Sequence, residues 1–134
     1  MSLDIQQRQR EGIMILDLDG RITLGAEATT FRNAVQKLVD AGHPNTILNM
    51  GKVDYVDSTG LGAMVICAST VKKSKGVVKL LNLNRRNIEL LVMTKLSTIF
   101  EVFSDEQDAV NSFFPDRAIK KFDILSFVRE LKEE

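Results

Sequence analysis

Leu3 and Ile5 alternate with polar neighbours over residues 3–8, the two-residue period of a half-exposed strand. Glu11-Gly12 then punctuates the chain. Ile13-Met14-Ile15-Leu16-Asp17-Leu18 is a more continuous apolar run, so the two segments predict an antiparallel pair joined by a turn. Asp19-Gly20 predicts a turn, and Ile22-Thr23-Leu24 a separate extended piece ending at Gly25. From Ala26 the period changes. Ala28, Phe31, Ala34, Val35, Leu38 and Val39 recur at helical spacing, and Gly42 followed by His43-Pro44 ends that helix. Thr46-Ile47-Leu48-Asn49-Met50 predicts a central strand, after which Gly51 turns the chain into an extended segment, Lys52 to Asp57.

At Ser58 a helix opens and runs to about Lys73, with Leu61, Met64, Val65, Ala68 and Val71 on its core face and Lys72, Lys73 and Lys75 suited to the dipole at its end. Its other side, Gly62, Ala63, Ile66 and Cys67, is small and apolar. Two readings fit: a helix buried on two sides, or a shallow docking surface beside Ser58. Beyond Gly76, Val77 to Leu81 predicts a strand and Asn84 the cap of a short helix with Ile88, Leu91 and Val92 inward. Ser97 to Phe103 predicts a last strand, and Asp105 caps a helix from Glu106 to about Phe113. Past Pro115, Ile124, Phe127, Val128 and Leu131 share one face of a terminal helix, which either packs back on the domain or contacts a second copy or another partner. Repeated strand-then-helix units give the fold class: α/β, a mixed, mostly parallel central sheet with helices, antiparallel at the first hairpin, plus an additional C-terminal helix.

Composition narrows the function classes. A chain of 134 residues with 44% apolar content buries a core without metals or disulfides. Eighteen basic residues balance eighteen acidic ones, which argues against binding nucleic acid or an anionic membrane through bulk charge. The single Cys67 sits in an apolar helical run and reads as structural. The opening residues do not resemble a signal peptide and no run is long enough to span a membrane, so the expectation is a cytoplasmic protein with no membrane insertion.

The candidate chemistry is concentrated at Asp57-Ser58-Thr59-Gly60. Asp57 and Ser58 are both good caps, and a hydroxyl at a helix N-terminus sits where free N–H groups and the dipole favour an anion. Ser58 is therefore either a cap or a place for a phosphate. The sequence holds no phosphate-binding loop, dinucleotide fingerprint, nucleophile elbow or histidine metal spacing, so neither an enzyme nor a cofactor is expected. His43, in a loop, gives Ser58 no convincing base. Asp54 and Asp57 are too sparse a carboxylate pair to make a metal site.

Val53-Asp54-Tyr55-Val56-Asp57-Ser58-Thr59-Gly60-Leu61-Gly62 resembles the D-S-[ST]-G-L-G signature of the STAS domain family, specifically its single-domain bacterial anti-sigma factor antagonists. Leu18-Asp19-Gly20-Arg21-Ile22 and Ile47-Leu48-Asn49-Met50 resemble the family's early segment and central strand. The resemblance spans about residues 3–112. It implies a STAS domain over residues 1–112 with an amphipathic helical extension over 113–134. It also implies a regulated adaptor: Ser58 phosphorylated by an anti-sigma factor that is also a Ser/Thr kinase of the histidine-kinase-like ATPase fold, and reset by a serine phosphatase. The partner surface it implies comprises Thr23, Asp57, Ser58, Thr59, Gly60, Leu61, Gly62, Ala63 and Ile66. The alternative role in the same family is an unphosphorylated scaffold or accessory subunit of a stress-sensing or transport complex. This chain departs from the pattern at Thr23, where antagonists commonly carry Asp, and in the extension, whose helix offers a route to a homodimer.

Overall fold

The computed structural model describes residues 3–119 and 124–133. Five strands form one sheet in the order β1-β2-β3-β4-β5: β1 is Leu3–Arg10, β2 Ile13–Ile22, β3 Thr46–Val56, β4 Val78–Leu81 and β5 Val102–Phe103. β1 pairs antiparallel with β2 and every later pairing is parallel, as the hairpin and crossover patterns predict. The crossovers carry α1, Ala26–Asp40, α2, Ser58–Lys73, and α3, Arg85–Met93. Each crossover steps one strand in the same direction, and crossovers of one hand then bring all three helices to one face. The main core lies there, with Phe31, Val35 and Leu38 of α1, Met64 and Val71 of α2 and Leu91 of α3 against Leu16, Leu18, Leu48 and Leu80.

β3 is longer than the alternation predicts. Gly51 does not turn the chain; it lies within the strand. Between Asp17↔Asn49 and Asp19↔Lys52, and again between Gly20↔Val53 and Arg21↔Tyr55, β3 spends one residue more than β2. Two bulges result. They convert the inward period from two to three, so that Met50, Val53 and Val56 are the buried positions. β2 likewise runs unbroken to Ile22, absorbing the predicted turn at Asp19-Gly20. β3 outruns β4, whose pairing with it ends at Asn49↔Leu81, and the Val53 carbonyl accepts from the side-chain amides of Asn84 and Asn87 at 3.1 Å each.

The predicted strand from Ser97 to Phe103 is mostly something else. Leu96–Thr98 is a 3₁₀ turn entered through Lys95 in the left-handed region, and Val102–Phe103 alone pairs with β4. The helix expected over 106–113 is α4, Glu106–Asn111, capped by Asp105 as predicted. Phe113 and Phe114 follow it and pack with Ile13, Ile15, Ile47 and Phe103 in a second, smaller core on the opposite face of the sheet. Lys79 of β4 is 6% exposed in this core, its Nζ donating to Ser112 Oγ at 2.8 Å and lying 4.5 Å from the Phe113 ring centroid. The terminal helix, α5, is Ile124–Glu133; Ile124 packs on the main core, and Phe127 and Val128 are half-buried.

α4 is also fastened by charge. Glu106 accepts hydrogen bonds from Arg8 and Arg10 of the edge strand, and Arg8 Nε donates to Asp17 at 2.6 Å. The Arg8 bond, with that of Arg10, holds the Glu106 carboxyl down to about 2 against burial, which acts the other way. The group's pKa is depressed on folding, so its stabilisation is complete above the ordinary carboxylate value of 4.5 and is lost as pH falls from there through about 2. Glu106→Gln is expected to cost roughly 0.5–1 kcal/mol at neutral pH, the upper range for a partly exposed pair, and to flatten stability between those two pH values. Urea titrations followed by circular dichroism at pH 7 and pH 3 measure both effects; a variant with the wild-type pH dependence contradicts the assignment.

Candidate functional site

β3 and α2 meet at Asp57, whose extended backbone ends the strand and whose side chain caps the helix. Asp57 Oδ1 accepts from the Gly60 N–H at 2.7 Å, the ordinary capping bond. Its other oxygen reaches across the fold: Oδ2 accepts from the Leu24 N–H at 2.9 Å. One carboxylate thus joins the start of α2 to the loop between β2 and α1. The Gly60 bond first, then the Leu24 bond, hold the Asp57 carboxyl below its usual range.

The same two segments also touch through backbone. The Asp57 N–H donates to the Ile22 carbonyl at 3.3 Å, and Gly60 lies so close that a Cβ on it would stand 1.8 Å from that oxygen. Only a glycine fits. Gly25, with φ of +103°, then turns the loop into α1, and the Leu24 side chain is left 73% exposed.

Ser58 is the first residue of α2 and is exposed, as is Thr59. Of the other residues expected in the partner surface, Thr23 and Gly62 are half-exposed and Ile66 is 52% exposed. Gly60, Leu61 and Ala63 are buried, so they support this surface from beneath. Ala63 and Cys67 belong to the main core together with Val35 of α1, while Val65 and Ala68, expected inward, are half-buried. α2 is therefore covered on two sides, by the sheet and by α1, with a narrow exposed third side running from Ser58 past Gly62 to Ile66. Burial pushes the Cys67 thiol up to about 11, which keeps it protonated and unreactive at neutral pH.

Leu24 is the neighbour that sequence reasoning missed. Its signal was present, an apolar residue just before a loop glycine, but its place beside Ser58 depends on a bond spanning 33 residues. Conversely, His43 lies in the exposed connection after α1, and among the described residues no three His, Cys, Asp or Glu side chains converge as a metal site would need. A groove of about 600 Å³ lies apart from Ser58, lined by Asp4, Arg8, Asp17, Asn49, Lys52 and Asn82 among others. Three of its polar side chains are linked: Asn49 Nδ2 donates to Asp17 at 2.8 Å, and Asn82 Nδ2 to Asn49 Oδ1 at 3.2 Å.

These contacts make Gly60 the position most sensitive to added bulk. Gly60→Ala is expected to destabilise by at least about 1–3 kcal/mol, the usual cost of overpacking, because the obstacle is backbone. Thermal unfolding checks it, and a variant as stable as wild type would mean that α2 sits farther from β2 than described.

Comparison with known proteins places this arrangement. The STAS domain model matches residues 4–109. The chain is 31% identical over 110 residues to the anti-sigma-B factor antagonist of Bacillus subtilis (strain 168), covering 82% of this chain and 99% of that protein. Among solved structures, an anti-sigma factor antagonist from Mycobacterium paratuberculosis superposes with a TM-score of 0.73 at 16% identity, over 82% of this chain and 92% of that one. The Bacillus cell fate determinant SpoIIAA in its phosphorylated form superposes with a TM-score of 0.64 at 16% identity, over 82% and 99%. Among the described residues no helix is long and apolar enough to cross a membrane. With a matching model over most of its length and the signature serine at the head of α2, the chain belongs to the STAS domain family.

Proposed function

We propose that the chain is an anti-sigma factor antagonist, a binding protein rather than an enzyme, switched by phosphorylation of Ser58. In this reading an anti-sigma factor with serine kinase activity binds the Ser58 end of α2, and a phosphatase restores the free hydroxyl. The observation that carries it is the exposed Ser58 side chain at the first position of a helix whose start is held by Asp57 and Gly60. The similarity to an anti-sigma-B factor antagonist, and to a structure of a phosphorylated protein of the same fold, supports it.

The switch follows from electrostatics at that point. A phosphate adds roughly −1.5 to −2 charges immediately beside the ionised Asp57, on a helix side that carries no charge from Ser58 to Val71. An apolar partner surface that covers α2 must then desolvate two adjacent anions. A penalty of about 2.7 kcal/mol weakens binding roughly 100-fold. The free protein tolerates the same group well, because the helix N-terminus stabilises it. Release of the partner therefore needs no change of fold.

Incubation with a purified anti-sigma factor kinase from the same genome and ATP is expected to add about 80 Da, one phosphate, to the wild type and nothing to Ser58→Ala. Ser58→Glu is expected to bind that kinase at least about tenfold more weakly, as isothermal calorimetry reads it. Modification that persists in Ser58→Ala contradicts the proposal.

A further inference from the structure

The two edges of the sheet are finished differently. At one, β5 offers only Val102 and Phe103, and where β3 overhangs β4 the side chains of Asn84 and Asn87 satisfy the Val53 carbonyl. The other edge has neither protection. β1 runs 8 residues, Leu3–Arg10, in unbroken register with β2, holds no proline or glycine, and exposes Gln6, Gln7, Arg8 and Gln9. A long, regular edge of this kind is a template for another strand. Its arginines do not guard it, because Arg8 and Arg10 are both bonded to Glu106 of α4, on the face opposite the crossover helices.

The hairpin turn settles which groups of β1 point outward. Glu11 and Gly12 have φ of +52° and +83°, as a two-residue type I′ turn requires, so Arg10 and Ile13 form a hydrogen-bonded pair. Bonding to β2 then alternates, and falls to Arg10, Arg8, Gln6 and Asp4. The N–H and C=O groups of Leu3, Ile5, Gln7 and Gln9 face away from the sheet, and no described residue bonds to them. The side chains divide in the same way. Leu3 and Ile5 pack toward the main core, while Asp4, Gln6 and Arg8 line the polar groove. Asp4 is poorly placed there, since the residue opposite it on β2 is another carboxylate, Asp19, and Lys52 is in register with Asp19 one strand farther away.

We infer that β1 is a self-association edge: two copies of the chain pair antiparallel through β1, about a twofold axis at Gln6, and join their sheets into one. This register matches every outward residue with another, Leu3 with Gln9 and Ile5 with Gln7, and each such pair exchanges both of its N–H···O bonds. It also sets Asp4 opposite Arg8 of the second copy, twice by symmetry. Arg8, bonded to Asp17 and Glu106, is held in place to meet that carboxylate, and Asp4 gains a cation that its own chain does not set beside it. The occupant is a second copy because the charges along this edge become complementary when the strand is reversed upon itself. Ser58 plays no part in the contact.

Sedimentation velocity of the full chain at submillimolar concentration is expected to show a monomer–dimer equilibrium. Asp4→Lys is expected to weaken the dimer at least about tenfold, because each dimer then holds two like-charge pairs. Gln7→Pro removes an outward N–H and no bond to β2, and is expected to give a folded monomer. Cross-linking reads the register. Gln6→Cys is expected to form a disulfide between copies under mild oxidation, since residues facing each other in a non-hydrogen-bonded pair have Cα atoms about 4.5 Å apart. Asp4→Cys is expected not to, because its two copies lie beyond the limit of about 7 Å. Cys67, buried and protonated, does not compete. A chain that stays monomeric overturns the inference. So does a dimer that persists in Gln7→Pro, or a Gln6→Cys variant that cross-links no faster than Asp4→Cys, since either places the contact elsewhere, with α5 the first alternative.

Discussion

The Asp57 carboxylate is the constraint on which the site depends. Its two oxygens serve two parts of the chain: one closes the first turn of α2 through the Gly60 N–H, and the other holds the Leu24 N–H of the loop before α1. A capping side chain usually satisfies only its own helix. Here the cap is also a cross-link, reinforced by the contact between Gly60 and the Ile22 carbonyl. The exposed hydroxyl of Ser58 and the exposed side chain of Leu24 consequently sit on one rigid platform. If Ser58 is the acceptor proposed above, such a platform is useful, since less conformational entropy is lost when a partner binds it.

The sheet delivers Asp57 to that position. β3 is the strand that overshoots its neighbour, and its two bulges let Met50, Val53 and Val56 all face the core. Asn84 and Asn87 satisfy the Val53 carbonyl that β4 is too short to reach. On the other face, α4 covers only one end of the sheet, and elsewhere Arg8, Asp17, Asn49 and Asn82 bond one another. Asp57 and Ser58 therefore lie at the end of β3 farthest from the chain's antiparallel hairpin turn.

Much of this was legible in the residue pattern because local signals and tertiary outcome agree. Asp57, Asn84 and Asp105 each sit immediately before an apolar helical period, and all three cap helices through their side chains. The β-then-α alternation gives the sheet. What was not legible depends on interactions between distant residues. A two-residue period cannot reveal that β3 is bulged, so Gly51 looked like a turn. Ser97 to Phe103 has the composition of a strand, yet β4 is only four residues long and leaves room to pair two of them. Two small apolar faces on α2 look alike in sequence; α1 covers the one with Ala63 and Cys67 and leaves Ile66 in solvent. Leu24 enters the site only through Asp57.

The coupling through Asp57 can be measured directly by amide hydrogen exchange in wild type and Asp57→Ala. The account predicts that the Leu24 and Gly60 amides are protected in the wild type and exchange at least about tenfold faster in the variant, while the Leu48 amide, near the start of β3, changes only by the variant's loss of global stability. Equal exchange at Leu24 in the two proteins would contradict it, because the loop would then be held without Asp57 and the platform beside Ser58 would have another cause.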